Sequence, residues 1–117
     1  MNKFLFFVSL MAMVFIPSQL PVEASEAKCV IKDGANQVVF RDKCIFEQFG
    51  GNGSFMIKAK SGLIYDRVSI SVAIIKPGVA EVRGLTTEGI NSRWGEAIRS
   101  KSDKACWVGD DFTICAY

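Results

Sequence analysis

Residues 68–83 carry the sequence feature that most constrains the fold, an alternation of apolar and small side chains that ends at a turn signal. Apolar residues occupy every second position of its first half: Val68, Ile70, Val72 and Ile74. A period of two places them on one face of an extended strand, whereas a helix would need a period near 3.6. The Pro77-Gly78 pair then interrupts the pattern, which predicts two antiparallel strands joined by a turn.

The register of this hairpin can be predicted from the face that must stay apolar. The favoured pairs are Ile74 with Ala80, Val72 with Val82, Ile70 with Gly84, and Ser71 with Arg83. This register requires a three-residue loop centred on Pro77. A two-residue Pro77-Gly78 turn would suit type II geometry, but it would place Ile74 opposite Glu81.

Several other segments have strand character and are separated by Gly, Asn and Asp turns. They cover residues 29–32, 37–40, 44–49, 54–60, 105–108 and 112–116. Short strands at this spacing predict a mainly β fold, a small antiparallel β-sandwich or barrel. The alternative is an α+β fold with one short helix near Ser92–Lys101, since Trp94, Ala97 and Ile98 also have helical spacing.

The four cysteines allow three pairings. We predict Cys29–Cys44 and Cys106–Cys115, because short closures form readily and each pair flanks a predicted hairpin. A direct cross-strand bridge between Cys106 and Cys115 would require a four-residue loop. Neither pair has the close spacing of a zinc knuckle, and an even number of cysteines in a short exported chain is typical of disulfides.

The first 24 residues have the pattern of a secretory signal peptide. Lys3 precedes the apolar run Phe4–Ile16, and Val22-Glu23-Ala24 offers a small-x-small cleavage site, with cleavage after Ala27 as the alternative. The run is too short for a membrane span, which needs about 20 apolar residues. We therefore expect residues 25–117 to form a single disulfide-containing β domain, secreted or periplasmic, with no membrane span after cleavage.

The composition excludes several classes of function. The chain has no histidine, which removes Ser-His-Asp and Cys-His catalytic sites and every histidine-bearing zinc site. A net charge of +2 gives no indication of a nucleic-acid-binding surface. We expect no cofactor and no metal. The adjacent carboxylates Asp110 and Asp111 leave a small carboxylate-dependent hydrolase as an alternative, although adjacent turn aspartates are typically solvated turn formers.

Aromatic and arginine side chains are the residues in which binding hot spots are enriched. The candidate binding residues are Tyr65, Arg83, Arg93, Trp94, Arg99 and Trp107. They favour a non-enzymatic binding protein of inhibitor or immunity type, acting on another protein or an envelope polymer. A structural envelope component is a further alternative.

The segment Ser61-Gly62-Leu63-Ile64-Tyr65 resembles the short Ser-Gly-x-x-Tyr loop of periplasmic inhibitors of C-type lysozymes. In that family the loop enters the lysozyme cleft, so the resemblance implies that Ser61 and Tyr65 are contacts. It covers five residues, and the Trp-x-Lys-Gly associated with the next strand is absent after Tyr65. The family is therefore not assigned from the sequence.

Overall fold

The computed structural model describes residues 24–117. All the regular secondary structure in this range is strand: β1 Ala24–Asp33, β2 Val38–Phe49, β3 Ser54–Ala59, β4 Ser69–Lys76, β5 Val79–Leu85, β6 Asn91–Arg99, β7 Cys106–Val108 and β8 Phe112–Ala116. Apart from Ala24, the first residue of β1, the predicted signal peptide lies outside the described residues. Within the described range, no helix is long and apolar enough to span a membrane.

The eight strands form a closed antiparallel barrel. Each strand pairs with its neighbour in sequence, and β8 returns to pair with β1, with Val30 opposite Cys115. Closure gives every described strand two neighbours, so no strand is a free edge, although β6 pairs with β7 only at Ile98 and Arg99. The mainly β prediction is confirmed, and the architecture is the barrel.

The core fills the inside of the barrel because each strand turns alternate side chains inward. Its largest fully buried side chains come from strands all around the wall: Ile31, Ile57, Ile70, Val72, Val82 and Ile114. Burying one such side chain contributes about 1.5–3 kcal/mol. The alternation in residues 68–83 therefore marks the wall of a barrel, with one face packed on the core.

The predicted register of the β4–β5 hairpin is confirmed, including the pairing of Ser71 with Arg83. The connection combines the two-residue turn of one alternative with the strand register of the other. Lys76 pairs with Val79, so Pro77-Gly78 is a two-residue turn, and a bulge at Ile75 restores the apolar register. Gly78 has φ 77°, the left-handed conformation that the second central position of a type II turn requires.

One alternative is excluded and one prediction about an element is wrong. Residues 91–99 form strand β6, which excludes the alternative of a short helix near Ser92–Lys101, because pairing with β5 and β7 overrides a weak helical spacing. Residues 44–49 are not a separate strand, since they continue β2 from Val38. The polar segment between Phe40 and Cys44 stays extended because its backbone pairs with β1, as in Arg41 with Val30.

Both predicted disulfides are present. Cys29 and Cys44 are fully buried in the main core and link β1 to β2 inside the barrel. Cys106 and Cys115 are directly opposite each other on β7 and β8, and pack with Val30 in a second buried cluster. Four residues, 109–112, separate the last pair of that hairpin, which is the loop length that a direct bridge required. Two such bridges are typical of an oxidising, extracytoplasmic environment.

Candidate functional site

The candidate site lies at one end of the barrel, which we call the Tyr65 end. It is formed by the connections β1–β2, β3–β4, β5–β6 and β7–β8. A groove of about 350 Å³ opens there, with mixed polar and apolar walls. The side chains that give it chemical character are Tyr65, Arg67, Arg93, Trp94, Asp111 and Phe112.

The β3–β4 connection is held at its centre by one buried side chain. Ile64 is fully buried, and its N–H and C=O bond to the C=O and N–H of Arg67, both at 2.9 Å. These bonds close a tight turn that directs the flanking side chains outward, so that Leu63 is 44% exposed and Tyr65 is 49% exposed. An exposed tip that carries Tyr65 and Asp66 therefore stands on a fixed base.

Tyr65 has a backbone conformation that a bulky L-residue rarely adopts. Its φ is 58°, in the left-handed region, where a Cβ atom crowds the following carbonyl. Such strain costs of order 1–3 kcal/mol and persists only where the surrounding structure enforces it, most often at functional sites. The Ile64–Arg67 turn supplies that enforcement and leaves the phenol ring exposed in the groove.

Arg67 and Trp94 form the wall next to Tyr65. The Arg67 guanidinium carbon lies 5.6 Å from the centre of the Trp94 ring, a cation–π distance. Trp94 in turn packs edge-on against Phe112, with ring centroids 5.6 Å apart. Arg67 also binds Asp66, at 2.7 Å. The guanidinium is thus held in a defined orientation beside the groove.

A β-bulge brings Trp94 to this position. Val82 pairs with Gly95 and Arg83 pairs with Arg93, so Trp94 is the extra residue of β6. A bulge re-aims a side chain, and here the indole packs over the core.

Arg83 and Arg93 both bind the carboxylate of Glu81 on the outer surface of β5 and β6. The Glu81 Oε2 atom lies 2.6 Å from Arg93 Nε and 3.2 Å from Arg83 Nη2. The hydrogen bond from Arg93 is the main reason that the pKa of Glu81 is held below its usual value, against the opposing effect of desolvation. Arg93 also reaches the groove, whereas Arg83 donates to the Asn91 carbonyl at its side.

Arg99 and Trp107 are located away from this site, where β6 ends and β7 begins. Trp107 is only 3% exposed and belongs to the main core. Arg99 lies over its ring at 5.5 Å and donates to the Lys104 carbonyl. Of the six candidate residues, the structure thus brings Tyr65, Arg93 and Trp94 together, places Arg83 beside them, and separates Arg99 and Trp107.

Arg67 and Phe112 line the groove but are not among the candidate binding residues from the sequence, and Arg67 is the charged one. Its significance depends on Trp94, which is 27 positions further along the chain and meets it only in the closed barrel. Its position two residues after Tyr65 is the only local signal that could have drawn attention to it.

Carboxylates also line the groove, but two of them are already engaged. Asp33 accepts hydrogen bonds from the N–H groups of Ala35 and Gln37, and Asp66 binds Arg67. Asp111 is exposed at the rim. Among residues 24–117, no three or more His, Cys, Asp or Glu side chains are grouped to hold a metal ion.

Comparison of the chain with protein families, with characterised proteins and with solved structures found no match. The geometry of the Tyr65 end is therefore the basis for its functional interpretation.

Proposed function

We propose that the chain is an extracytoplasmic, non-enzymatic binding protein of the inhibitor type, which inserts its β3–β4 loop into a cleft of a partner protein. The single observation that carries this proposal is the strained, half-exposed Tyr65 at the tip of a loop anchored by the buried Ile64. An aromatic residue presented in a fixed conformation loses little entropy on binding, so it can contribute strongly to affinity.

Two guanidinium groups stand beside the loop, in a groove where Lys32, Arg67 and Arg93 are matched by Asp33, Asp66 and Asp111. Arg67 and Arg93 line the same groove as Tyr65, and 54% of the Arg93 side chain is accessible. Glycoside hydrolases of most families place a pair of Asp or Glu side chains across the cleft. Guanidinium groups beside an inserted aromatic ring complement such a pair.

The first partner to test is a C-type lysozyme. The proposal is supported by the resemblance of Ser61–Tyr65 to the Ser-Gly-x-x-Tyr loop of periplasmic inhibitors of these enzymes, together with the exposure of Ser61 and Tyr65 on one anchored loop. The two disulfides are compatible with the compartment in which such a partner would be met.

We expect the oxidised protein to inhibit hen egg-white lysozyme stoichiometrically in a turbidity assay of peptidoglycan lysis. Tyr65→Ala should weaken inhibition at least about 30-fold, as for a hot-spot residue worth about 2 kcal/mol. The matched control is Tyr117→Ala, since Tyr117 is 56% exposed at the other end of the barrel. It should inhibit like the unmodified protein.

Two results would count against the proposal. An absence of inhibition at micromolar excess over the enzyme would exclude C-type lysozyme as the partner. Equal losses in the Tyr65 and Tyr117 variants, with unchanged circular dichroism, would exclude the β3–β4 loop as the inserted segment.

A further inference from the structure

A second surface lies on the outer side of β1 and β2, away from the barrel interior. Ala27, Cys29 and Ile31 face the core, so the residues between them face outward. On β2 the same alternation turns Arg41 and Lys43 outward. We call the resulting patch the basic face: Lys28, Lys32, Arg41 and Lys43.

Two of these cations are directly opposite each other. Lys28 pairs with Lys43 across the β1–β2 ladder, an arrangement of like charges that destabilises a sheet. Neither forms an ion pair with a carboxylate among residues 24–117. Glu26 lies on the same strand, but its carboxylate is bound by Lys60, and that hydrogen bond is the main cause of its lowered pKa.

The basic face surrounds a shallow groove with an apolar floor. Lys28, Lys32 and Arg41 line it together with Tyr117, and its floor includes the nearly buried Val30 and Cys115. The Tyr117 hydroxyl donates a hydrogen bond to Asp103 Oδ2 at 2.5 Å, so the Asp103 carboxylate is already engaged. No Asp or Glu side chain lines this groove, so its charged side chains are all positive.

The dimensions of the patch determine what kind of anion it can bind. Lys28 and Lys32 are four residues apart on an extended strand, about 13 Å at 3.3 Å per residue, and Arg41 and Lys43 are on the adjacent strand about 5 Å away. One phosphate cannot contact all four side chains. The charges extend in two directions, which fits a plane of anionic groups better than a single linear chain.

We propose that the basic face docks the protein on the surface of an anionic phospholipid bilayer. Lys32 lines both this groove and the groove at the Tyr65 end, whereas Lys28, Arg41 and Lys43 do not line the latter. Substitutions at Lys28 and Lys43 therefore test this interaction separately from the proposed inhibition. Basic residues near an anionic leaflet each contribute about fivefold in affinity, and the attraction weakens with salt. The protein is thereby concentrated at a membrane while its β3–β4 loop stays available.

The proposal is tested by sedimentation of the oxidised protein with vesicles of equal parts phosphatidylglycerol and phosphatidylcholine, at low salt. We expect Lys28→Gln/Lys43→Gln to lower the partition coefficient by roughly 30-fold. The control with the same charge change is Lys76→Gln/Lys101→Gln, at two exposed lysines outside the basic face, one at the end of β4 and one between β6 and β7. It should change partitioning by less than about threefold.

A second measurement separates loss of docking from loss of folding. Because Lys28 and Lys43 repel each other, the double variant should resist urea at least as well as the parent protein. Tyr65→Ala should partition like the parent, so failure of the inhibitor proposal would leave this one standing.

Three outcomes would overturn the proposal. One is equal loss in the two double variants, which would indicate attraction by net charge alone. Another is displacement of the protein from vesicles by millimolar inorganic phosphate, which would indicate a discrete phosphate site. The third is tighter binding to linear polyphosphate than to the vesicles, which would indicate a polymeric ligand.

Discussion

Tyr65 is the residue at which local preference and tertiary structure disagree most clearly. Tyrosine is disfavoured at positive φ, yet its backbone is held at 58° by the turn that Ile64 and Arg67 close. Asn36, the other non-glycine residue with positive φ among those described, lies in the β1–β2 turn and tolerates this conformation far better. The strain at Tyr65 has no such local explanation and coincides with an exposed aromatic ring.

This strain predicts that two substitutions at position 65 differ in their effect on the free energy of unfolding. Tyr65→Gly should be more stable than Tyr65→Ala by about 1 kcal/mol, because glycine adopts the left-handed region without a Cβ clash. Both should lose inhibition equally, since both remove the ring. Urea unfolding of the two variants measures the difference, and an alanine variant as stable as the glycine variant would show that position 65 is unstrained.

Strands β5 and β6 show how one pair of elements builds the site. Gly84 lies on β5, and the bulge on β6 swings Trp94 over it. A Cβ atom at Gly84 would lie 2.7 Å from Trp94 Nε1 and 3.0 Å from Arg67 Nε. The missing side chain of Gly84 is what lets the indole and the guanidinium stack against the barrel wall.

We expect Gly84→Ala to lower the free energy of unfolding by about 1–3 kcal/mol, the usual cost of overpacking a filled site. The cost should shrink by more than half in a Trp94→Leu background, because the smaller side chain removes the closest contact. A double-mutant cycle measured by urea unfolding gives the coupling. An unchanged cost in that background would mean that Trp94 is not the constraint.

For the whole molecule, closure is the decisive event. β1 and β8 come from opposite ends of the described chain and pair over five residues, which completes the wall around the core. Neither disulfide crosses the seam between β1 and β8; one joins β1 to β2 and the other joins β7 to β8. Cys29–Cys44 lies in the main core inside the barrel, while Cys106–Cys115 lies in the second cluster, on the outer side of the β7–β8 hairpin.

Removing each bridge should therefore have unequal effects. In the chain-entropy model either closure is worth about 3 kcal/mol. Cys29→Ala/Cys44→Ala should cost roughly 1 kcal/mol more than Cys106→Ala/Cys115→Ala, because it also leaves a space in the main core. Urea unfolding of the two double variants measures both losses. A larger loss for the Cys106–Cys115 variant would contradict this ranking.

The sequence alone determined the local features of this protein. The alternation over residues 68–83 predicts the register of β4 and β5, and the spacing of the cysteines favours the two disulfide pairs over the other pairings, because each depends on residues near one another in the chain. It left open the structure of residues 91–99, where two periodicities compete over a few residues.

Only the tertiary structure decided which side chains share a surface. Arg67 meets Trp94 because of the bulge on β6 and the closed sheet. Trp107 is buried in the core, although tryptophan is a residue type that is enriched at binding surfaces. The small net charge likewise concealed the basic face, because a sum over the chain carries no information about position. A period of two specifies which face a residue takes on its own strand, but barrel closure specifies which strands lie side by side. The sequence therefore indicates Tyr65 as a candidate contact, but only the closed barrel places Arg67, Arg93 and Trp94 beside it.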